Sequence, residues 1–140
     1  AFIRQRSRPW ADSGVARAGD DPLTINQIGD LKIRLHAAEA LLERAARTLD
    51  NSPLPISYEQ MAQASVAVAE AKVLTTEIAL HASEKLFELA GTQSTLSAHD
   101  LDRHWRNARV HTLHDPVRWK YHAVGNYYLN DAPPPRHNWS

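Results

Sequence analysis

Five of the eight histidines fall in the last 40 residues: His104, His111, His114, His122 and His137. Three of them lie in the run Arg103-His104-Trp105-Arg106-Asn107-Ala108-Arg109-Val110-His111-Thr112-Leu113-His114-Asp115-Pro116, the stretch densest in reactive side chains. On a helix His111 and His114, three residues apart, share a face. Three chemistries suit this pattern. A His-x-x-His pair supplies two metal ligands, but zinc takes a third. Asp115 would point about 100° round the helix from His114, the wrong direction for that ligand. General acid–base or oxygen-activating chemistry needs an imidazole that donates one hydrogen bond and accepts another; His114, just before a helix start at Asp115-Pro116, is placed for that. The third use is plain packing, as hydrogen-bonded imidazoles between helices. No metal site is assigned.

Two further groups suit an anion. Arg4, Arg6 and Arg8 crowd the opening Phe2-Ile3-Arg4-Gln5-Arg6-Ser7-Arg8-Pro9-Trp10. They form either a solvated helix end or a set of planar donor forks for phosphate. Gly91-Thr92-Gln93-Ser94-Thr95 is a polar loop after a helix-stopping glycine, and its N–H groups and hydroxyls could cradle phosphate. It matches no dinucleotide fingerprint.

Helices must position these groups. Thr24-Ile25-Asn26-Gln27 reads as a capping box, followed by Ile28, Leu31, Leu35, Ala38, Leu42, Ala45 and Leu49 at spacings of three and four, one apolar stripe. That helix ends at Asp50-Asn51-Ser52-Pro53. Ser57-Tyr58-Glu59-Gln60 is a second capping box, opening a helix to about Ala90 with alanines at 62, 64, 67, 69 and 71. Small residues on several faces predict burial on several faces, in a bundle or an oligomer. Ser97-Ala98-His99-Asp100 reads as a third cap, for a helix to about Val110 or Thr112. Asp115 as N-cap and Pro116 at N1 open the last helix, about 116–129. Residues 131–140 form an extended Pro-rich tail.

Composition narrows the function. The chain has 140 residues, enough for one modest core, with 16 basic and 16 acidic side chains, and net charge zero argues against nucleic-acid binding. It has no Cys, which excludes disulfide scaffolds and thiolate chemistry and fits a reducing, cytoplasmic setting. No apolar run approaches the roughly 20 residues of a membrane span. The first residue is Ala1, with no initiator Met, and a fragment of a larger protein is expected.

The order of an Arg-rich helix end, two long helices, a Gly loop, an Arg-Asn-Ala-Arg helix and a final helix resembles the C-terminal domain of the acyl-CoA dehydrogenases. It is closest to their flavin-dependent monooxygenase branch, the dibenzothiophene monooxygenase-like and sulfur-acquisition oxidoreductases. The resemblance is strongest in Asp102-Arg103-His104-Trp105-Arg106-Asn107-Ala108-Arg109, through His111-Thr112-Leu113-His114-Asp115-Pro116-Val117, to Gly125-Asn126-Tyr127-Tyr128-Leu129. It implies an all-α, up-and-down four-helix bundle, part of a three-domain protein, with residues 1–130 as a flavin-binding and oligomerisation domain. It also implies a homodimer or homotetramer.

By the same resemblance Arg6 falls on the family's phosphate-binding Arg of a Glu-Arg-x-x-Phe-Gly motif, which serves a neighbouring subunit. Here Gln5-Arg6-Ser7-Arg8-Pro9-Trp10 keeps the Arg without Phe-Gly, so Arg8 competes for the role. Gly91, Thr92, Gln93 and Ser94 fall on the Gly-Gly-x-Gly flavin loop with one glycine kept, which favours FMN over FAD. His114-Asp115-Pro116 replaces the Tyr-Glu-Gly that carries the dehydrogenase base. Asp115 is one methylene shorter than Glu, and a misplacement of about 1 Å costs roughly a hundredfold.

The expectation is therefore a two-component monooxygenase acting on a small apolar, organosulfur-type substrate, with reduced FMN from a separate reductase. His114 steadies the oxygenated flavin and handles its proton, and His111 orients His114 or touches substrate. The alternatives are an acyl-CoA dehydrogenase using Asp115, and a non-catalytic helical assembly domain.

Overall fold

A computed structural model describes residues 2–135 of the chain; Ala1 and residues 136–140, His137 and the end of the Pro-rich tail among them, lie outside the described residues. Helices α1 (Phe2–Arg6), α2 (Pro22–Asp50), α3 (Tyr58–Ala90), α4 (Asp102–His114) and α5 (Val117–Asn130) carry the fold, and the described residues contain no strand. Single 3-10 turns occupy Ala11–Ser13, Ala18–Asp20, Thr92–Thr95 and Ser97–His99. The architecture is all-α and up-and-down. Helix α3 is its axis: α2, α4 and α5 all pack on it, while α2 and α5 hardly touch one another.

The alanines explain that arrangement. Ala62, Ala64, Ala67, Ala69 and Ala71 of α3 are all buried, with Val66, Val73 and Ile78. A helix surface of methyl groups lets neighbouring axes approach to about 8 Å, near the lower end of the usual range. Ala67 and Ala71 meet Ala45 of α2, with Leu41 packed against the cluster. The predicted α2 stripe divides here. Ala38 and Ala45 are buried against α3, but Ile28, Leu42 and Leu49 are 39%, 55% and 52% exposed. Helix α3 covers only one flank of the stripe, because a straight helix drifts relative to a seven-residue repeat.

Three of the predicted boundaries shift. Helix α2 starts at Pro22 and not at a Thr24 cap: Asp21 is the N-cap, accepting from the N–H groups of Leu23 and Thr24 at 3.2 Å each and from the Thr24 hydroxyl at 2.7 Å. Proline at N1 has no N–H to satisfy, so the acid before it takes the next two. The Thr24 hydroxyl, aided by those N–H groups, holds the Asp21 carboxyl below the usual carboxylate range against the opposing effect of desolvation. Ser97 makes no cap either; its 3-10 turn stops at Asp100, which takes the left-handed conformation (φ 46°), and α4 begins at Asp102. At the last junction Asp115 does not cap α5; Pro116 precedes the helix and no side chain caps it. The Ser57 capping box, the stop at Gly91 and the end of α2 at Asp50 stand as predicted.

Polar contacts fix the register of α5 on α3. The Tyr121 hydroxyl donates to Glu77, and the Tyr128 hydroxyl donates to Glu70 at 3.2 Å. Both pairs are seven residues apart on each helix, so the helices run antiparallel with two equivalent anchor points. Glu70 also pairs with Arg44 of α2, joining three helices through one carboxylate.

Two expectations follow for stability. Ala71→Leu forces a larger side chain between α2 and α3 and should destabilise the chain by about 1–3 kcal/mol, read from the urea midpoint. The hydrogen bond to Glu77, with partial burial and its charge, raises the Tyr121 hydroxyl above the usual phenol value. A group whose pKa is raised by folding contributes its stability in full below the unfolded pKa of about 10 and loses it as pH rises through the folded value. The melting temperature of wild type should therefore exceed that of Tyr121→Phe at pH 8, and the difference should vanish in the alkaline range above pH 10.

Candidate flavin and histidine sites

The sequence-predicted residues gather in two places rather than one. The first is the α4–α5 elbow. Helix α4 is thinly buried: Thr112 is its one fully buried residue among those described, its hydroxyl donating to the Arg109 carbonyl at 2.8 Å. His111 and His114 stand one turn apart at the end of that helix, both exposed. Asp115 follows in extended conformation, its carboxylate directed at two lysines. Its Oδ2 lies 3.7 Å from Lys72 Nζ of α3 and 3.4 Å from Lys120 Nζ of α5. Both lysines were missed in the sequence. The signal was there for one of them: Lys72 interrupts a run of small apolar residues, between Ala71 and Val73, both buried.

The second place is the end of α3. Gly91 ends the helix with its N–H donating to the Phe87 carbonyl at 3.0 Å, and it adopts φ 71° and ψ −170°. That region is essentially closed to residues with a Cβ. The chain then turns through Thr92–Thr95. Ser94 is 1% exposed, and its hydroxyl donates to the Gly91 carbonyl at 2.6 Å, so this side chain shapes the turn instead of facing a ligand. Thr92 and Gln93 are exposed. Helix α1 packs on the same region: the Phe2 ring meets His99 edge-on at 5.1 Å, and the Arg6 guanidinium lies 5.8 Å above the Phe2 ring. Through Phe2, Arg6 thus reaches the turn at His99, eight residues beyond Gly91. Arg8 is exposed just beyond.

Between the two places lie the 19 residues of α3 from Lys72 to Gly91, about 28 Å at 1.5 Å per residue. The remaining histidines divide by role. His99, half-buried, packs on Phe2, and His122, exposed, meets the Trp119 ring edge-on at 5.8 Å. His81 faces Asp30 at 3.7 Å across the α2–α3 groove. That groove holds a cavity of about 440 Å³ lined by Arg34, Ala37, Leu74, Glu77, Ile78 and His81, apart from both clusters. Among the described residues no three His, Asp or Glu side chains converge as metal ligands would, and no helix is long and apolar enough to cross a membrane.

Comparison with known proteins agrees with this fold. Residues 1–119 match the family described as acyl-CoA dehydrogenase, C-terminal domain, and the chain belongs to that family. It is 37% identical over 136 residues to dibenzothiophene monooxygenase of Mycolicibacterium goodii, covering 95% of this chain and 33% of that protein. It is 35% identical over 136 residues to a probable FMNH2-dependent monooxygenase, SfnC, of Pseudomonas putida, covering 95% of this chain and 34% of the relative. Among solved structures, methanesulfinate monooxygenase MsuC of Pseudomonas fluorescens superimposes with a TM-score of 0.94 at 34% identity, over 99% of this chain and 37% of that one. FMN-bound TdsC of Paenibacillus sp. A11-2 gives 0.93 at 34% identity, over 99% and 36%. The chain spans about a third of the length of these relatives.

Gly91→Ala should cost about 1–3 kcal/mol from backbone conformation, since nothing stands within 4 Å of the added methyl. A lower thermal midpoint with unchanged helix content checks this.

Proposed function

We propose that this chain is the C-terminal domain of an FMNH2-dependent, two-component monooxygenase, its reduced flavin supplied by a separate reductase. One observation carries the proposal: the last turn of α4 presents His111 and His114 on an exposed face, while the carboxylate beside them is held by two lysines. The names of the relatives support FMN and a small substrate of the organosulfur class, apolar in the case of dibenzothiophene.

The residues present fit the cofactor. Arg6 and Arg8 supply guanidinium forks, and the Gly91 turn supplies the opening N–H groups of its 3-10 helix, which have no intrahelical partner. Arg6, Arg8, Thr92 and Gln93 would hold the phosphate, with Gly91 and Ser94 shaping the turn. Bound FMN supplies the electrons and the ring carbon that engages oxygen. His114 holds and passes a proton at its ring nitrogen beside the reacting oxygen. His111 orients His114 or lines the substrate space. Asp115, tied to lysines, is not placed to abstract a substrate proton, which favours oxygenation over acyl-CoA dehydrogenation.

The two clusters stand about 28 Å apart along α3, so a single copy would give its phosphate cluster to one flavin and its imidazoles to another. That arrangement calls for a homodimer or homotetramer. The exposed Ile28, Ile33, Leu42 and Leu49 of α2 offer apolar surface for it. Residues 1–130 are then the flavin-binding and assembly unit, followed by the Pro-rich tail, in a cytoplasmic enzyme.

The test is rapid mixing of the full-length protein, loaded with reduced FMN, against oxygen. His114→Ala should slow the oxygen-dependent step by about 10²–10⁴-fold, the usual worth of a positioned acid–base group, in a protein that still binds FMN. Reduction of bound flavin by an acyl-CoA without a reductase would establish the dehydrogenase instead. Unchanged kinetics in stable His114→Ala and His111→Ala proteins would leave only an assembly role.

A further inference from the structure

The turn between α4 and α5 is two residues long, Asp115 and Pro116. An Asp at that point ordinarily caps the following helix, yet α5 has no side-chain cap. The carboxylate faces the body of the fold, between Lys72 of α3 and Lys120 of α5. Both lysine side chains are only 20% exposed, and Asp115 is 34% exposed. Ion pairs covered to this degree are screened less than pairs in open solvent. In the last turn of α4 Thr112 is buried, while His111, Leu113 and His114 are all exposed. A carboxylate that forgoes a cap to join cations from two other helices acts as a tether on that turn.

We infer that Lys72 and Lys120 are positioning residues: they latch Asp115, set the angle between α4 and α5, and so place His111 and His114. Asp115 serves this latch and not as a base. The catalytic meaning of the latch rests on the function proposed above, whereas the latch itself is a property of this chain.

The two are tested separately. In the 140-residue chain, histidine ring ¹H–¹³C cross-peaks are compared among wild type, Lys72→Met, Lys120→Met, the double variant and Asp115→Asn. Methionine keeps the unbranched apolar stem and removes the charge. The His111 and His114 peaks should shift or broaden in the variants, while His36 and His99, on other elements, stay in place; Lys72→Arg should restore the wild-type positions. A general loss of stability would move all four. In the full-length protein the same variants should slow reoxidation of bound reduced FMN by up to about a hundredfold, with FMN affinity unchanged because the phosphate cluster is distant. Unmoved His111 and His114 peaks in folded variants overturn the latch. Should the methionine variants fail to fold, the near-isosteric Asp115→Asn decides by the same peaks. Peaks that move without any change in reoxidation support the latch and overturn the catalytic role of the histidines.

Discussion

Everything in this fold is arranged around one helix whose N-terminal half buries a surface rich in methyl groups. Helix α3 buries Ala62, Ala64, Ala67, Ala69 and Ala71, so neighbours approach it closely on several sides. Close approach supplies dispersion contacts where Ala45 and Leu41 of α2 meet Ala67 and Ala71 of α3. It supplies little directional information, because alanines at different levels are nearly interchangeable. A bundle held by alanine alone would slide.

The polar residues of α3 remove that freedom. Glu70 and Glu77 receive the hydroxyls of Tyr128 and Tyr121, Glu70 also meets Arg44, and Lys72 meets Asp115. A half-buried charge left without its partner is costly, so any other register carries a penalty. The individual pairs are partly exposed and contribute modestly to stability. Their effect is on specificity: α5 has one antiparallel register, and the elbow before it has one place to rest.

That division bears on function. The α4–α5 elbow meets α3 at Lys72 and the Gly91 turn follows its last residue, so the length of that helix sets their separation. His111 and His114 are consequently held apart, by about 28 Å along α3, from the residues proposed to hold phosphate. In the proposed enzyme this is what makes each site depend on more than one copy of the chain, and on the parts of the protein beyond this domain.

Several features were legible in the sequence because they depend only on local chemistry. The Ser57 capping box, the Gly91 stop, the end of α2 before Pro53 and the shared face of His111 and His114 follow from residue type and spacing. So did the family, from the long run through Arg103 to Pro116. Other features needed the folded molecule. Asp21 outbids Thr24 as the cap because Pro22 has no N–H. Ile28 and Leu42 are exposed because α3 covers one flank of α2. Ser94 is buried because its hydroxyl closes the turn on Gly91. The role of Asp115 was the largest change, from expected cap or base to partner of two lysines. Periodicity says which residues share a face of a helix. Which charges from different helices meet is decided only when the bundle brings residue 72 to residues 115 and 120, since no local rule relates position 72 to position 115, 43 residues further along the chain.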